Sequence, residues 1–285
     1  MSSYRGRFAP SPTGPLHFGS LFAALVSYLE ARRNSGTWLV RIEDIDPLRE
    51  APGASQQIIE TLEAHHLFSD EPIVFQSAHS AEYESLLTKL DLRKAIFYCP
   101  CSRKYLATNG GRHNEACLRQ SVDKQNCAQK FRNTEELYYW HDGMQGEHSY
   151  KLDDDFVLKR KESFYAYQLA VVNDDHRQNI THVVRGYDLL FSTPMQLALY
   201  QALDYKPPEF SHFPVLSAKG QKLSKQNHAK AVSSLQAKEN LSCIFRLLGI
   251  EISSKCLSIP QMLETAIEHW NPKVLSRVKE LPSPY

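Results

Sequence analysis

The 285-residue chain has no uninterrupted apolar run of roughly 18 residues, so no membrane-spanning helix is expected. It also lacks an apolar signal region at its start, where Met1 to Arg7 already carries Arg5 and Arg7. A cytoplasmic location is the expectation that follows. Net charge is nearly absent, with 33 basic against 32 acidic residues. That gives no general pull toward nucleic acid, so an RNA partner would have to be met by a local basic surface or by shape. There is no internal repeat and no low-complexity tract. What is present is the composition of a soluble globular enzyme, 42% apolar and 23% charged, long enough for one large domain or two smaller ones.

Hydrophobic periodicity outlines an α/β chain. A strand over Tyr4 to Ala9 stops at Pro-Ser-Pro-Thr-Gly. Leu21, Ala24, Leu25, Tyr28, Leu29 and Arg32 then recur at helical spacing, predicting a helix from near His17 to before Gly36. Trp38 to Ile42 reads as a buried strand, and strand–helix–strand here makes a parallel unit with a right-handed crossover. Helices are expected over 54–66, 81–94 and 193–203, and strands over 73–75, 156–159, 169–173 and 180–185. A polar loop is expected over 214–230, and helices over 233–248, 260–270 and 272–279. Residues 99 to about 146 break the rhythm and read as an insertion into the sheet.

Two segments carry nucleotide chemistry. In the first, His17-Phe18-Gly19-Ser20 opens a helix, whose N-terminal N–H groups and dipole suit phosphate. Gly19 has no Cβ, so a nucleotide can come close to the backbone. His17 can donate to a phosphate oxygen. Alone, such a His is more often a cap or packing residue. In the second, Lys222-Leu223-Ser224-Lys225-Gln226, two lysines three apart can reach a triphosphate from a loop, although a lone lysine pair is usually solvated surface. Lys225 would stabilise charge as pyrophosphate leaves.

Together these segments resemble the His-Ile-Gly-His and Lys-Met-Ser-Lys-Ser signatures of class I aminoacyl-tRNA synthetases, with Ser20 and Gln226 departing from the last position of each. The likeness extends to Arg7-Phe8-Ala9-Pro10-Ser11-Pro-Thr-Gly, to Arg41-Ile-Glu43-Asp-Ile-Asp46 and to Arg185-Gly-Tyr-Asp188. It also includes Thr193, Gln196 and the run from His212 to Leu216. Over about residues 5 to 230 the chain resembles the glutamyl and glutaminyl subfamily. The resemblance implies a Rossmann-type parallel sheet that binds ATP at His17, Gly19, Lys222, Ser224 and Lys225, with Ser20 beside them. Glutamate would be held by Arg7, Phe8, Ala9, Pro10, Ser11, Glu43, Tyr167 and Arg185. The chemistry agrees: arginine reads a carboxylate with a two-pronged fork, and Glu43, at a strand end, can pair with an ammonium. The bland alternatives are a core aromatic for Tyr167 and a surface salt bridge to Arg41 for Glu43. Mg²⁺ held mainly by the phosphates is expected with ATP.

Four of the six cysteines lie within 29 residues, which in a chain with no secretion signal points to a metal more than to disulfides. Cys99, Cys101, His113 and Cys117 make a three-thiolate, one-imidazole zinc set, and Gly110-Gly111 lets the chain turn back. Cys127 is the rival to His113 for the fourth place. Zinc here would be structural, holding the insertion toward the tRNA. Arg119, Lys124, Lys130 and Arg132 form a basic stretch that could meet phosphates, although such a stretch is more often a solvated face.

Only 60 residues follow Lys225, too few for a large anticodon-binding region. That pattern resembles the bacterial glutamyl-Q tRNA(Asp) synthetases, in some of which a Tyr stands at the place of His113. The resemblance implies activation of glutamate without tRNA, then transfer to queuosine at the wobble position of tRNA(Asp), by a monomer. The expected layout is a first Rossmann half (1–95), a zinc-bearing insertion (96–150), a second Rossmann half (151–215) and a lysine loop with a helical segment (216–285). The alternatives are a small synthetase charging the tRNA 3′ end and a non-catalytic relative that senses or binds.

Overall fold

The site rests on a parallel unit at the start of the chain. Strand β1 (Arg5–Phe8) pairs in parallel with β2 (Thr37–Ile42), Arg5 opposite Thr37 and Phe8 opposite Val40, and helix α1 (Phe18–Arg33) connects them. α1 is covered almost all round: Leu21, Phe22, Ala24, Leu25, Val26 and Leu29 are all buried. The computed structural model describes residues 3–111, 113–118, 122–134, 137–152, 155–218, 221–222, 231–252 and 258–284.

The elements that follow are α2 (Ala54–Ala64), β3 (Val74–Phe75), α3 (Ser80–Leu92), β4 (Ile96–Cys99), α4 (Arg103–Thr108) and α5 (Glu115–Leu118). Next come β5 (Ala128–Phe131), β6 (Leu137–Asp142), β7 (Gly146–Lys151), β8 (Val157–Lys159), α6 (Tyr167–Arg177) and β9 (His182–Gly186). The last are α7 (Thr193–Leu203), β10 (Glu209–Phe213), β11 (Val215–Ala218), β12 (Gln221–Lys222), α8 (Ala237–Leu247), α9 (Ile259–His269) and β13 (Glu280–Pro282).

β1, β2 and β3 form one parallel sheet, and β9 and β10 pair in parallel in another. The backbone N–H of Thr181 donates to Arg5 O at 3.0 Å, which lays β9 beside β1. The arrangement is thus the expected α/β class with parallel strands and covering helices. β6 and β7 form an antiparallel hairpin whose Asp142 end bridges to β10. β4, β5 and β8 form a separate antiparallel sheet. Among the described residues, no helix is long and apolar enough to cross a membrane.

Three expectations need correction. Residues 169–173 are not a strand but the middle of α6. Leu169, Ala170, Val171 and Val172 pack in one core cluster with Tyr83, Leu86 and Leu90 of α3, while Asn173, Asp174 and Asp175 are also buried. With both apolar and acidic sides covered, no helical stripe is left to read, and packing overrides the β preference of the valine pair. Residues 214–230 are not all loop: Val215 to Ala218 and Gln221–Lys222 are strands, Ser217 opposite Lys222. After Pro272 the chain makes only one tight turn to Leu275, and β13 then pairs in parallel with β11.

Candidate active site

The strand ends of β1, β2 and β9 and the start of α1 and α6 surround a cleft of about 500 Å³. Its walls include Arg7, Phe8, Ala9, Pro10, Ser11, His17, Gly19, Ser20, Glu43, Tyr167 and Arg185. Every nucleotide- and glutamate-site residue expected from the segments before the lysine loop therefore lines one cavity. Ligands of open parallel sheets bind at this place, outside the carboxyl ends of the strands.

His17 is the N-cap of α1. Its Nδ1 accepts from the Ser20 N–H at 3.2 Å, and its Nε2 lies 3.1 Å from Ser20 Oγ. The capping role foreseen as the bland alternative is real, and it coexists with a place on the cleft wall. The lysine segment is described only at its edges. Lys222 ends β12, and Ser224 and Lys225 lie outside the described residues. Where description resumes, Ala231 bridges to His17 and the Val232 N–H donates to Leu16 O at 2.9 Å. The chain after the lysine motif is thus tied to the loop before α1.

The two arginines differ sharply. Arg7 is buried and already forked onto Asp175, Nε to Oδ1 at 3.0 Å and Nη2 to Oδ2 at 3.2 Å. Arg41 donates to the same carboxylate at 2.8 Å. Burial opposes the ionisation of Asp175, but the two guanidiniums outweigh it and hold its carboxyl below the usual range. Arg185 is also buried, yet among the described residues none of its partners is a carboxylate. Its Nε donates to His212 Nε2 at 2.9 Å, Nη1 to Gln196 Oε1 at 2.8 Å and Nη2 to Thr193 Oγ1 at 2.9 Å; the Tyr167 hydroxyl is 3.5 Å from Nη1. Burial without a carboxylate lowers its pKa. A desolvated cation held only by neutral groups favours an anionic ligand at its free edge.

Glu43 stands opposite in character. Its Oε1 is buried without a hydrogen-bond donor among the described residues, and Arg41 is 3.8 Å away. Burial pushes its carboxyl up to about 7, and Arg41 and Arg7 offset this only in part. The pairing with Arg41 weighed from the sequence is present, but as a long, buried contact rather than a surface bridge. A cleft lined by a cation with no carboxylate partner among the described residues and by a donor-starved carboxyl matches a zwitterionic amino acid with a second carboxylate.

Sequence reasoning missed Asp174 and Asp175 and gave no role to Asp142. Nothing local marks them; only the buried groups they face do, Arg7 and Arg41 for Asp174 and Asp175 and His212 for Asp142. Gly186 also serves the wall. A Cβ there would stand 2.5 Å from Asp188 Oδ1 and 3.5 Å from Val215 Cγ1.

Away from the cleft, Cys99, Cys101, His113 and Cys117 bring their ligand atoms within 4.8 Å of one another. Cys99 Sγ is 3.3 Å from His113 Nδ1, and Cys101 Sγ is 3.5 Å from Cys117 Sγ. Cys127 is not in the group; its thiol turns to Asp123 O at 3.1 Å. Burial and the neighbouring thiols push Cys117 up to about 12. A cation favours the thiolates and would reverse that. Three sulfurs and one imidazole nitrogen suit one tetrahedral metal ion. Lys130 of the basic stretch is buried against His113, 3.1 Å from Nε2, rather than on a solvated face. Lys124 is exposed and reaches Asp91 and the Tyr98 ring.

The family described as tRNA synthetases class I (E and Q), catalytic domain, matches residues 3–253. The chain belongs to this family. Among curated relatives, the glutamyl-Q tRNA(Asp) synthetase of Pectobacterium atrosepticum is 42% identical over 274 residues, 94% of this chain and 85% of that protein. The glutamyl-Q tRNA(Asp) synthetase of Xanthomonas campestris pv. campestris is 45% identical over 284 residues, 98% of this chain and 95% of that protein. Among solved structures, a glutamate tRNA ligase from Elizabethkingia meningosepticum in complex with its amino acid superposes with a TM-score of 0.80 at 24% identity. That match covers 98% of this chain and 66% of the other, and at that identity it speaks to the fold.

Proposed function

We propose that this synthetase-family protein activates L-glutamate with ATP in the absence of tRNA and transfers it to the queuosine base at the wobble position of tRNA(Asp). The observation that carries the activation half is Arg185, a buried guanidinium whose partners among the described residues are all neutral, lining one cleft with Glu43. The transfer half is supported by the near-full-length similarity to the glutamyl-Q tRNA(Asp) synthetases.

Arg185 reads the side-chain carboxylate of glutamate, and Glu43, ionised, takes the α-ammonium. Arg7, Tyr167 and the Phe8 to Ser11 wall complete the pocket. No protein nucleophile is needed. The substrate α-carboxylate attacks the α-phosphorus of ATP; that P–O bond forms, the bond to the bridging oxygen breaks, and pyrophosphate leaves. The protein positions the reactants and stabilises charge. His17, Gly19 and Ser20 offer the helix start to the phosphates. Lys222 and Lys225, with Ser224, flank the leaving pyrophosphate; the bridge of Ala231 to His17 supports a place for this segment beside the cleft. Mg²⁺ bound to ATP supplies further neutralisation of phosphate charge. In the second step the acceptor attacks the acyl carbonyl, and AMP departs.

Cys99, Cys101, His113 and Cys117 would hold one Zn²⁺, whose role is to fix the segment between β4 and β5. Glutamate-dependent exchange of pyrophosphate into ATP, measured without tRNA, tests the activation half. Exchange with glutamate and not with glutamine is expected, and no exchange would defeat it.

A further inference from the structure

Arg185 is not held by the cleft alone. Behind it, His212 of β10 is fully buried and receives the Arg185 Nε–H on Nε2 at 2.9 Å. The other ring nitrogen, Nδ1, lies 2.5 Å from Asp142 Oδ2. Asp142 is itself anchored: its Oδ1 accepts backbone N–H groups of Met144, Gln145 and His212 at 3.1, 3.0 and 3.0 Å. Gln145 closes the turn by donating to His212 O at 2.8 Å. Three elements far apart in sequence therefore meet in one chain of hydrogen bonds, from the β6–β7 turn through β10 to β9.

The donor and acceptor types leave one arrangement. A guanidinium Nε–H can only donate, so Nε2 must be the bare acceptor. The proton then sits on Nδ1 and is given to the Asp142 carboxylate. A carboxylate in direct contact with Arg185 would neutralise it and compete with an anionic substrate. A neutral imidazole holds the guanidinium as firmly in direction while leaving its charge unspent. Asp142 fixes the ring without touching the arginine.

We infer that His212, set by Asp142 in its Nδ1-protonated form, is a neutral positioning residue that aims Arg185 at the substrate carboxylate and so sets selectivity for glutamate over glutamine. This rests on the proposed reading of Arg185. Burial depresses the basicity of the ring to about 4, Asp142 opposing this in part, which keeps it neutral over the working range.

The test uses the full chain and three variants, with tRNA-independent pyrophosphate exchange read for glutamate and ATP separately. His212→Leu removes the acceptor, and the glutamate KM should rise about tenfold or more while the ATP KM stays within about twofold. His212→Gln places an amide oxygen near the Nε2 position and should return the glutamate KM to within about threefold of the unmodified protein. Asp142→Asn keeps the backbone contacts but puts an amide N–H opposite Nδ1; the ring must then carry its proton on Nε2, against the Arg185 donor, and the glutamate KM should rise as in the leucine variant. Nitrogen-15 imidazole shifts should show the Nδ1–H form from about pH 5.5 to 8.5. A glutamate KM unchanged in His212→Leu, an equal rise for ATP, no rescue by glutamine, or an Nε2–H or doubly protonated ring would each overturn the inference. If the leucine variant does not fold, Asp142→Asn and the nitrogen shifts decide. Absence of exchange in the unmodified protein would defeat the functional reading instead, and the nitrogen shifts would still test the ring.

Discussion

Arg7 and Asp175 are joined by a two-pronged ion pair, 3.0 and 3.2 Å, between β1 and α6. The first arginine of the motif thus spends one edge of its guanidinium inside the protein. Arg41 shares the same carboxylate at 2.8 Å. Asp175→Ala should therefore leave two buried cations short of a partner. A loss of about 3–5 kcal/mol in denaturant unfolding is expected. A loss below about 1 kcal/mol would mean that the pair contributes little, as exposed pairs do.

The pH dependence of glutamate binding follows from Glu43. Its carboxyl is raised to about 7 in the free protein. Below that value it is largely neutral and cannot pair with the substrate ammonium; above it the carboxylate is ready. The glutamate KM should fall as pH rises from about 6 to 8 and then level off, because binding the ammonium stabilises the ionised form. Glu43→Gln should raise the KM and flatten this profile. A KM that rises over the same range would contradict the assignment.

Much of this site was legible because the residues stand in short segments whose chemistry is local. His17 and Gly19 announce a helix start, and Glu43 follows a buried strand. The partners that complete the site were not legible for the opposite reason. Asp175 lies 168 residues from Arg7, in a helix whose Leu-Ala-Val-Val run reads as a strand. Asp142 lies 70 residues from His212, in a stretch that reads as an insertion. A buried acid is indistinguishable in sequence from a solvated one until the fold sets a cation against it. The cluster that could hold a metal ion is made of the four residues read from the sequence, with His113 and not Cys127 beside the three cysteines.

For the metal cluster, one zinc ion per chain is expected in protein purified without chelator. Cys117→Ser should lower that stoichiometry and loosen the segment between β4 and β5, seen as faster amide exchange there. Cys127→Ser should leave the zinc content unchanged. Full zinc retention in the first variant would remove Cys117 from the ligand set.

Lys225→Ala tests the second nucleotide segment. Its proposed partner is the charge that develops as pyrophosphate leaves, not glutamate. The exchange rate constant should fall by about 100-fold or more, with the glutamate KM within about threefold. A change confined to the glutamate KM would place this lysine elsewhere.

The central claim is the acceptor, and labelled glutamate tests it most directly. Transfer should be measured from the ATP-activated protein to tRNA(Asp) bearing queuosine and to the same tRNA made without it. Label on the queuosine-bearing tRNA alone, retained when the 3′ terminal adenosine is removed, is the predicted result. Equal labelling of both tRNAs, or loss of label with that adenosine, would contradict the account.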